Sequence, residues 1–171
     1  MCSYFFKDVE KASNYIFSKL SNPTPIKIQK SLYFIWSFYA AIYGDFNSNQ
    51  SEMAEMETYP KELFDAKFEA WKYGPVIEEV WVNSKQGLIS EQFDENKDVF
   101  VENENLKNEI FAFIDDLINQ IDGVNDFGLV DRSHLDESWS NRYKEGTVHC
   151  LMDNEEIKEE YKKYVKQQSK N

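Results

Sequence analysis

Two histidines, two cysteines and thirty-one carboxylates are the side chains from which this 171-residue chain could build a reactive centre. His134 follows Asp131 by three residues, and His149 directly precedes Cys150. With a folded backbone bringing them together, Asp131, His134 and His149 could hold a metal ion, or His134 could activate Cys150 as a nucleophile. The spacing supports neither. No C-x-x-C and no H-E-x-x-H pattern occurs, and a Cys/His pair needs an adjacency that spacing does not supply. The plainer role for Ser133 and His134 is to tie a buried turn by hydrogen bonds, with Trp139 packed against it. No residue is therefore assigned as catalytic, none as a metal ligand, and no cofactor is expected.

A second candidate lies at Gly74-Pro75. A helix starting there would aim backbone N–H groups at an anion, with Lys72 in support. No Gly-rich loop accompanies it, however, and Glu78 and Glu79 would oppose a phosphate. The Gly-Pro joint thus reads as a structural turn. Trp71, Tyr73 and Trp81 surround it. Such aromatics either fill the core or, beside a rigid turn, anchor a protein partner; the sequence leaves both open.

The elements that would position these residues follow from periodicity. Phe64, Ala66, Phe68 and Ala70 alternate with Asp65, Lys67 and Glu69, the period of a half-buried strand. Gly74 gives the chain freedom to turn, and Pro75 is expected at the first helical position, with Val76, Ile77 and Val80 as the apolar stripe. The expectation is strand, Gly-Pro turn, helix. Upstream, residues 4–20 read as a first helix. Residues 25–43, capped by Thr24 and opened by Pro25, form a helix apolar on nearly every side, which places it at the centre of the core. Residues 45–62 are acidic and polar, an inserted loop with a helical turn at 52–57. Residues 98–102 read as a second strand pairing with 65–71. An amphipathic helix covers 105–121, with Lys107 on its polar face, and a short one covers 129–134. A last helix starts near Asp153, which with Glu156 resembles a capping box.

The string Glu69-Ala70-Trp71-Lys72-Tyr73-Gly74-Pro75-Val76 resembles the signature of the Panacea antitoxin-like family, which includes SocA-like antitoxins and phage-associated GepA-like proteins. Ile28-Gln29-Lys30 with Leu32 and Tyr33 resembles the family's opening helix, and Leu129, Ser133, His134 and Trp139 resemble its later segment. The likeness spans about residues 7–164. It implies an antitoxin that neutralises a cognate toxin by direct contact, without bond chemistry, some relatives also acting as adaptors for an ATP-dependent protease. It also implies that Glu69, Trp71, Tyr73, Gly74, Pro75, Val76, Trp81, Ser133, His134 and Trp139 are the motif residues from which a partner surface would be drawn. Two alternatives remain: a phage or prophage protein that binds host machinery without a toxin, and an enzyme using His134.

The totals are compatible with a basic protein partner, but the acidic excess is also an ordinary solubility device, and that is the favoured reading. Acidic residues outnumber basic ones by twelve, which argues against general affinity for nucleic acid or an anionic membrane. No apolar run reaches the roughly 18 residues that span a bilayer. Two cysteines give no disulfide framework and no leader-like stretch opens the chain, so the expected location is the cytoplasm. The expected fold is α+β: one predominantly helical domain over residues 1–166, with a small antiparallel β-sheet packed on a buried central helix and a frayed tail at 167–171.

Overall fold

The structure is a computed structural model and describes residues 3–46, 58–147 and 149–170. The expected helical turn at 52–57 and Cys2 lie outside these. The helix on which the rest is assembled is α2, Pro25–Tyr43. Its start is set chemically: the Thr24 hydroxyl accepts from the Lys27 N–H, and Pro25 occupies a position where no N–H is needed. Leu32, Tyr33, Ile35, Trp36 and Tyr39 are almost wholly buried. Each large side chain so buried contributes on the order of 2 kcal/mol. Even the polar tips on α2 serve the fold: Trp36 Nε1 donates to the Phe64 carbonyl (3.1 Å), and Tyr39 donates to that of Pro60 (2.7 Å).

Around α2 lie α1 (Val9–Lys19), α3 (Glu78–Lys85), α4 (Glu104–Asp122), α5 (Asp126–Ser133) and α7 (Asn154–Gln168), and a short α6 (Glu137–Ser140) packs on α7. A two-stranded antiparallel sheet, β1 (Glu69–Trp71) and β2 (Gly74–Val76), touches α2 through β2. The expected class, mostly helical with a small antiparallel sheet on a buried central helix, is what forms. Asp153 caps α7 by accepting from the N–H groups of Glu155 and Glu156. The Glu156 carboxylate turns instead to Asn141 and Arg142.

Beyond that capping box, four further expectations are corrected. Residues 4–8 are not helical: Tyr4 bridges to Glu62 and Phe6 to Val99, and α1 starts only after its cap, Asp8, whose side chain accepts from the Lys11 N–H. Both Phe5 and Phe6 are fully buried, which one face of a surface helix cannot achieve for adjacent residues. Residues 98–102 do alternate, with Val99 and Val101 buried and Phe100 exposed, but they pair with 5–7 rather than with 65–71. The open edge of β1 is taken by residues 150–152, through Ala70 N–H to Cys150 O and Met152 N–H to Phe68 O, both 2.8 Å. Lys107 is buried, because its ammonium reaches Asn96 and Glu104. The fourth correction concerns Pro75 and belongs to the site.

Candidate functional site

The chain reverses at Lys72-Tyr73, not at Gly74-Pro75. Trp71 faces Gly74, Ala70 faces Pro75 and Glu69 faces Val76 across a tight hairpin. Pro75 is thus the middle residue of β2, and α3 begins only at Glu78. The register explains why proline is tolerated. With Trp71 and Gly74 closing a two-residue loop, Ala70 and Pro75 form a non-hydrogen-bonded pair, where the missing N–H costs no ladder bond. The N–H of Ala70 points away accordingly, to Cys150.

The hairpin is held from behind by α2. Gln29, buried, makes two bonds to one residue: its Nε2 donates to Ile77 O (3.1 Å) and its Oε1 accepts from Ile77 N–H (2.9 Å). Lys30, 1% exposed, donates from Nζ to Pro75 O (3.0 Å). Burial lowers the Lys30 ammonium from its ordinary value to about 7. Gly74 has φ +103°, and a Cβ there would overlap Ser133 Oγ and come within 2.9 Å of Lys30 Cε. Glycine is therefore required twice, for conformation and for space.

The turn is held from the side by α5 and α6. His134 Nε2 donates to Lys72 O (3.0 Å), and Trp139 Nε1 donates to Trp71 O (2.8 Å). The His134 ring stacks on Trp139 (4.2 Å between centroids, 17° apart), which stacks on Tyr143 (4.9 Å, 13°). The hydroxyl of Ser133 donates to Val130 O within its own helix. Ser133, His134 and Trp139, sixty residues downstream in sequence, are thus brought to the hairpin. On the far side Trp71 donates to Glu69 Oε1 (2.8 Å) and lies edge-on to Trp81 at 6.0 Å.

His134 and His149 take different places. His149 Nδ1 lies 3.5 Å from carboxylate oxygens of both Glu69 and Glu78, a grouping the spacing did not suggest. Cys150 is half-buried, with its thiol 3.0 Å from the Thr147 hydroxyl.

Two features face outward. Tyr73, at the tip of the turn, is 47% exposed and lies 6.3 Å from the ring of Phe127, which is 63% exposed. Beside them a cavity of about 680 Å³ opens between the hairpin, the start of α2 and residues 143–147. Trp71, Tyr73, Trp81 and Tyr143 wall it, with Lys30 and Lys72 also on its lining.

Sequence reasoning missed Asp136. This buried carboxylate accepts from Tyr33 and Tyr161 hydroxyls, both at 2.6 Å, and from Arg132 Nη1 at 2.9 Å. Burial and its charge raise both phenols well above their ordinary value. Because Asp136 is so occupied, it does not cap α6 with its side chain. Glu160 from α7 does so instead, accepting from Glu137 N–H, Ser138 N–H and the Ser138 hydroxyl. Asp136 therefore joins α2 and α7 to the segment that carries His134 and Trp139. The sequence signal was a phenol on each of two apolar helix faces, Tyr33 and Tyr161, since a buried phenol needs an acceptor.

No curated protein and no solved structure matches the chain. The profile of the family described as Antitoxin SocA-like, Panacea domain matches residues 50–140. That span is more than half the chain and holds the hairpin, α3 to α6, and every side chain that grips the turn from α5 and α6. The likenesses noted at residues 28–33 and beyond residue 140 fall outside it. With the matched span containing this clamped hairpin, the chain belongs to the SocA-like antitoxin family with a Panacea domain.

Proposed function

We propose that this chain neutralises a cognate protein toxin by direct binding, and that the hairpin tip is where it grips. The observation that supports the contact surface is the contrast between the two sides of one turn. Behind it, Gln29, Lys30, His134 and Trp139 fix the backbone by named hydrogen bonds. In front, Tyr73 and Phe127 stay exposed. A large ring on an immobilised backbone loses little conformational freedom on binding, which is what makes aromatic anchors effective. Of the motif residues, Gly74, Pro75, Val76, Ser133, His134 and Trp139 then build the support. Glu69, Trp71 and Trp81 flank the contact.

The excess of twelve acidic charges adds a second expectation: a partner with a basic surface, drawn in by long-range attraction. No step in this reading makes or breaks a bond. His134 has its Nε2 on a backbone carbonyl and its ring on Trp139, a positioning role rather than an acid–base one. Delivery of the bound toxin to an ATP-dependent protease would be a further use of the same complex.

The test is co-expression with the product of the adjacent reading frame. That product alone is expected to arrest growth, and this chain to restore growth and co-purify with the product. Failure to bind it would overturn the toxin reading in favour of a host target.

A further inference from the structure

The aromatic-walled cavity is not used by the hairpin's own packing. Its volume, about 680 Å³, suits a small ligand or a single anchored side chain. Its walls are unusual for this chain. Trp71, Tyr73, Trp81 and Tyr143 supply aromatic surface, and the charged residues on the lining are two lysines, Lys30 and Lys72, against one carboxylate, Glu145. Glu145 is exposed. In a protein with twelve excess acidic charges, this is a local reversal of sign.

Lys30 is the informative member. Its ammonium has three N–H groups, and a neutral carbonyl, Pro75 O, accepts from it. Among the described residues no carboxylate lies within ion-pair distance of it, and burial alone accounts for its lowered proton affinity. Buried ammonium groups are ordinarily paired, because an uncompensated one is costly to bury. The neighbouring Gln29 supplies no counter-charge, since its neutral amide bonds Ile77 at both ends. Structural need does not explain the lysine either: a neutral donor would satisfy Pro75 O equally well.

We propose that this cavity binds a carboxylate carried on an aromatic or bulky apolar group, with Lys30 as the counter-charge and the Trp71, Trp81 and Tyr143 rings around the apolar body. The chemistry is shared by two sources, a free small-molecule acid and the C-terminal residue of a polypeptide. It does not rest on the toxin reading, because a free acid would bind whether or not the chain neutralises anything.

The experiment is a calorimetric titration of the full chain, followed by NMR, with matched acid and amide probes. The free-acid arm compares 3-phenylpropionate with 3-phenylpropionamide. The chain-end arm compares acetyl-Gly-Gly-Phe with a free carboxylate against the same peptide amidated. The acid is expected to bind at least tenfold more tightly than its amide in one arm or both, and the arm with the tighter acid identifies the source. Lys30→Gln should abolish the preference for acid, and Trp81→Ala should weaken acid and amide alike. Should Lys30→Gln fold poorly, the wild-type chain still decides: the acid must shift the Lys30 side-chain resonances more than those of the exposed Lys72. Equal affinity for acid and amide in both arms, no binding of any probe, or larger shifts at Lys72 than at Lys30 would overturn the proposal.

Discussion

A Cβ at Gly74 would fall 2.9 Å from Lys30 Cε, and the two residues make opposite demands on the fold. Gly74→Ala should be severely destabilising, because the new Cβ meets Ser133 Oγ while the backbone sits at φ +103°. Strain and overpacking together predict a loss of roughly 3 kcal/mol, read as a drop in the denaturation midpoint. Lys30 gives a prediction with a sign in pH. Its folded value, about 7, lies below the 10.5 of the unfolded chain. Between these values the unfolded chain holds the extra proton, so wild-type stability gains as pH rises through that window, and the burial penalty is full below it. Lys30→Met should therefore be most favourable relative to wild type at pH 6. Its advantage should shrink by on the order of 2 kcal/mol at pH 9. A difference between the two that does not change with pH would contradict a buried, unpaired ammonium. The sequence announced the conformational freedom of Gly74, borne out by its φ of +103°, but neither its close approach to Ser133 nor the role of Lys30. Gln29 and Lys30 stood out only as part of the family-like string that opens α2, and neither that likeness nor periodicity says that their partners are the backbone atoms of Ile77 and Pro75.

Among the elements, legibility followed the range of the forces involved. Helix α2 was readable to the residue, since Thr24, Pro25 and Gly44 act on their own neighbours. The alternation of residues 64–70 was also readable, and Phe64, Ala66, Phe68 and Ala70 are buried, but of the expected strand only Glu69–Trp71 forms. What residues 65–71 and 98–102 pair with was not, because strand partners are chosen by the whole core: they were expected to pair with each other, and residues 150–152 and 5–7 take those places. Pro75 misled for the same reason. Its fixed φ suits a helix start and a strand equally, and only the register, which puts it at a pair needing no N–H, selects the strand. Asp136 is where elements are joined, with donors from α2, α5 and α7 on one carboxylate. Asp136→Ala should cost about 3 kcal/mol, since it strands Arg132 and two phenols at once. It should also loosen His134 and Trp139 from the hairpin, seen as faster hydrogen exchange at residues 71–76. Unchanged exchange there would separate the Asp136 cluster from the support of the turn.

At the scale of the whole molecule, charge and surface act together. An acidic chain meeting a basic partner associates faster at low salt, so the association rate should fall about tenfold or more as ionic strength rises towards 0.5 M, with a much smaller change in dissociation. A salt-independent association rate would show that the acidic excess serves only to keep the chain dispersed. The aromatic tip makes the complementary prediction, on affinity rather than on rate. Tyr73 and Phe127 are exposed and make no hydrogen bond on which the fold depends, so truncating them should change stability by less than about 1 kcal/mol. The decisive measurement is the dissociation constant of the proposed toxin complex for wild type and for the double variant Tyr73→Ala/Phe127→Ala, taken alongside their thermal midpoints. The clamped-hairpin account predicts affinity at least 30-fold weaker with the midpoint nearly unmoved; a double variant that binds and neutralises as well as wild type would contradict it.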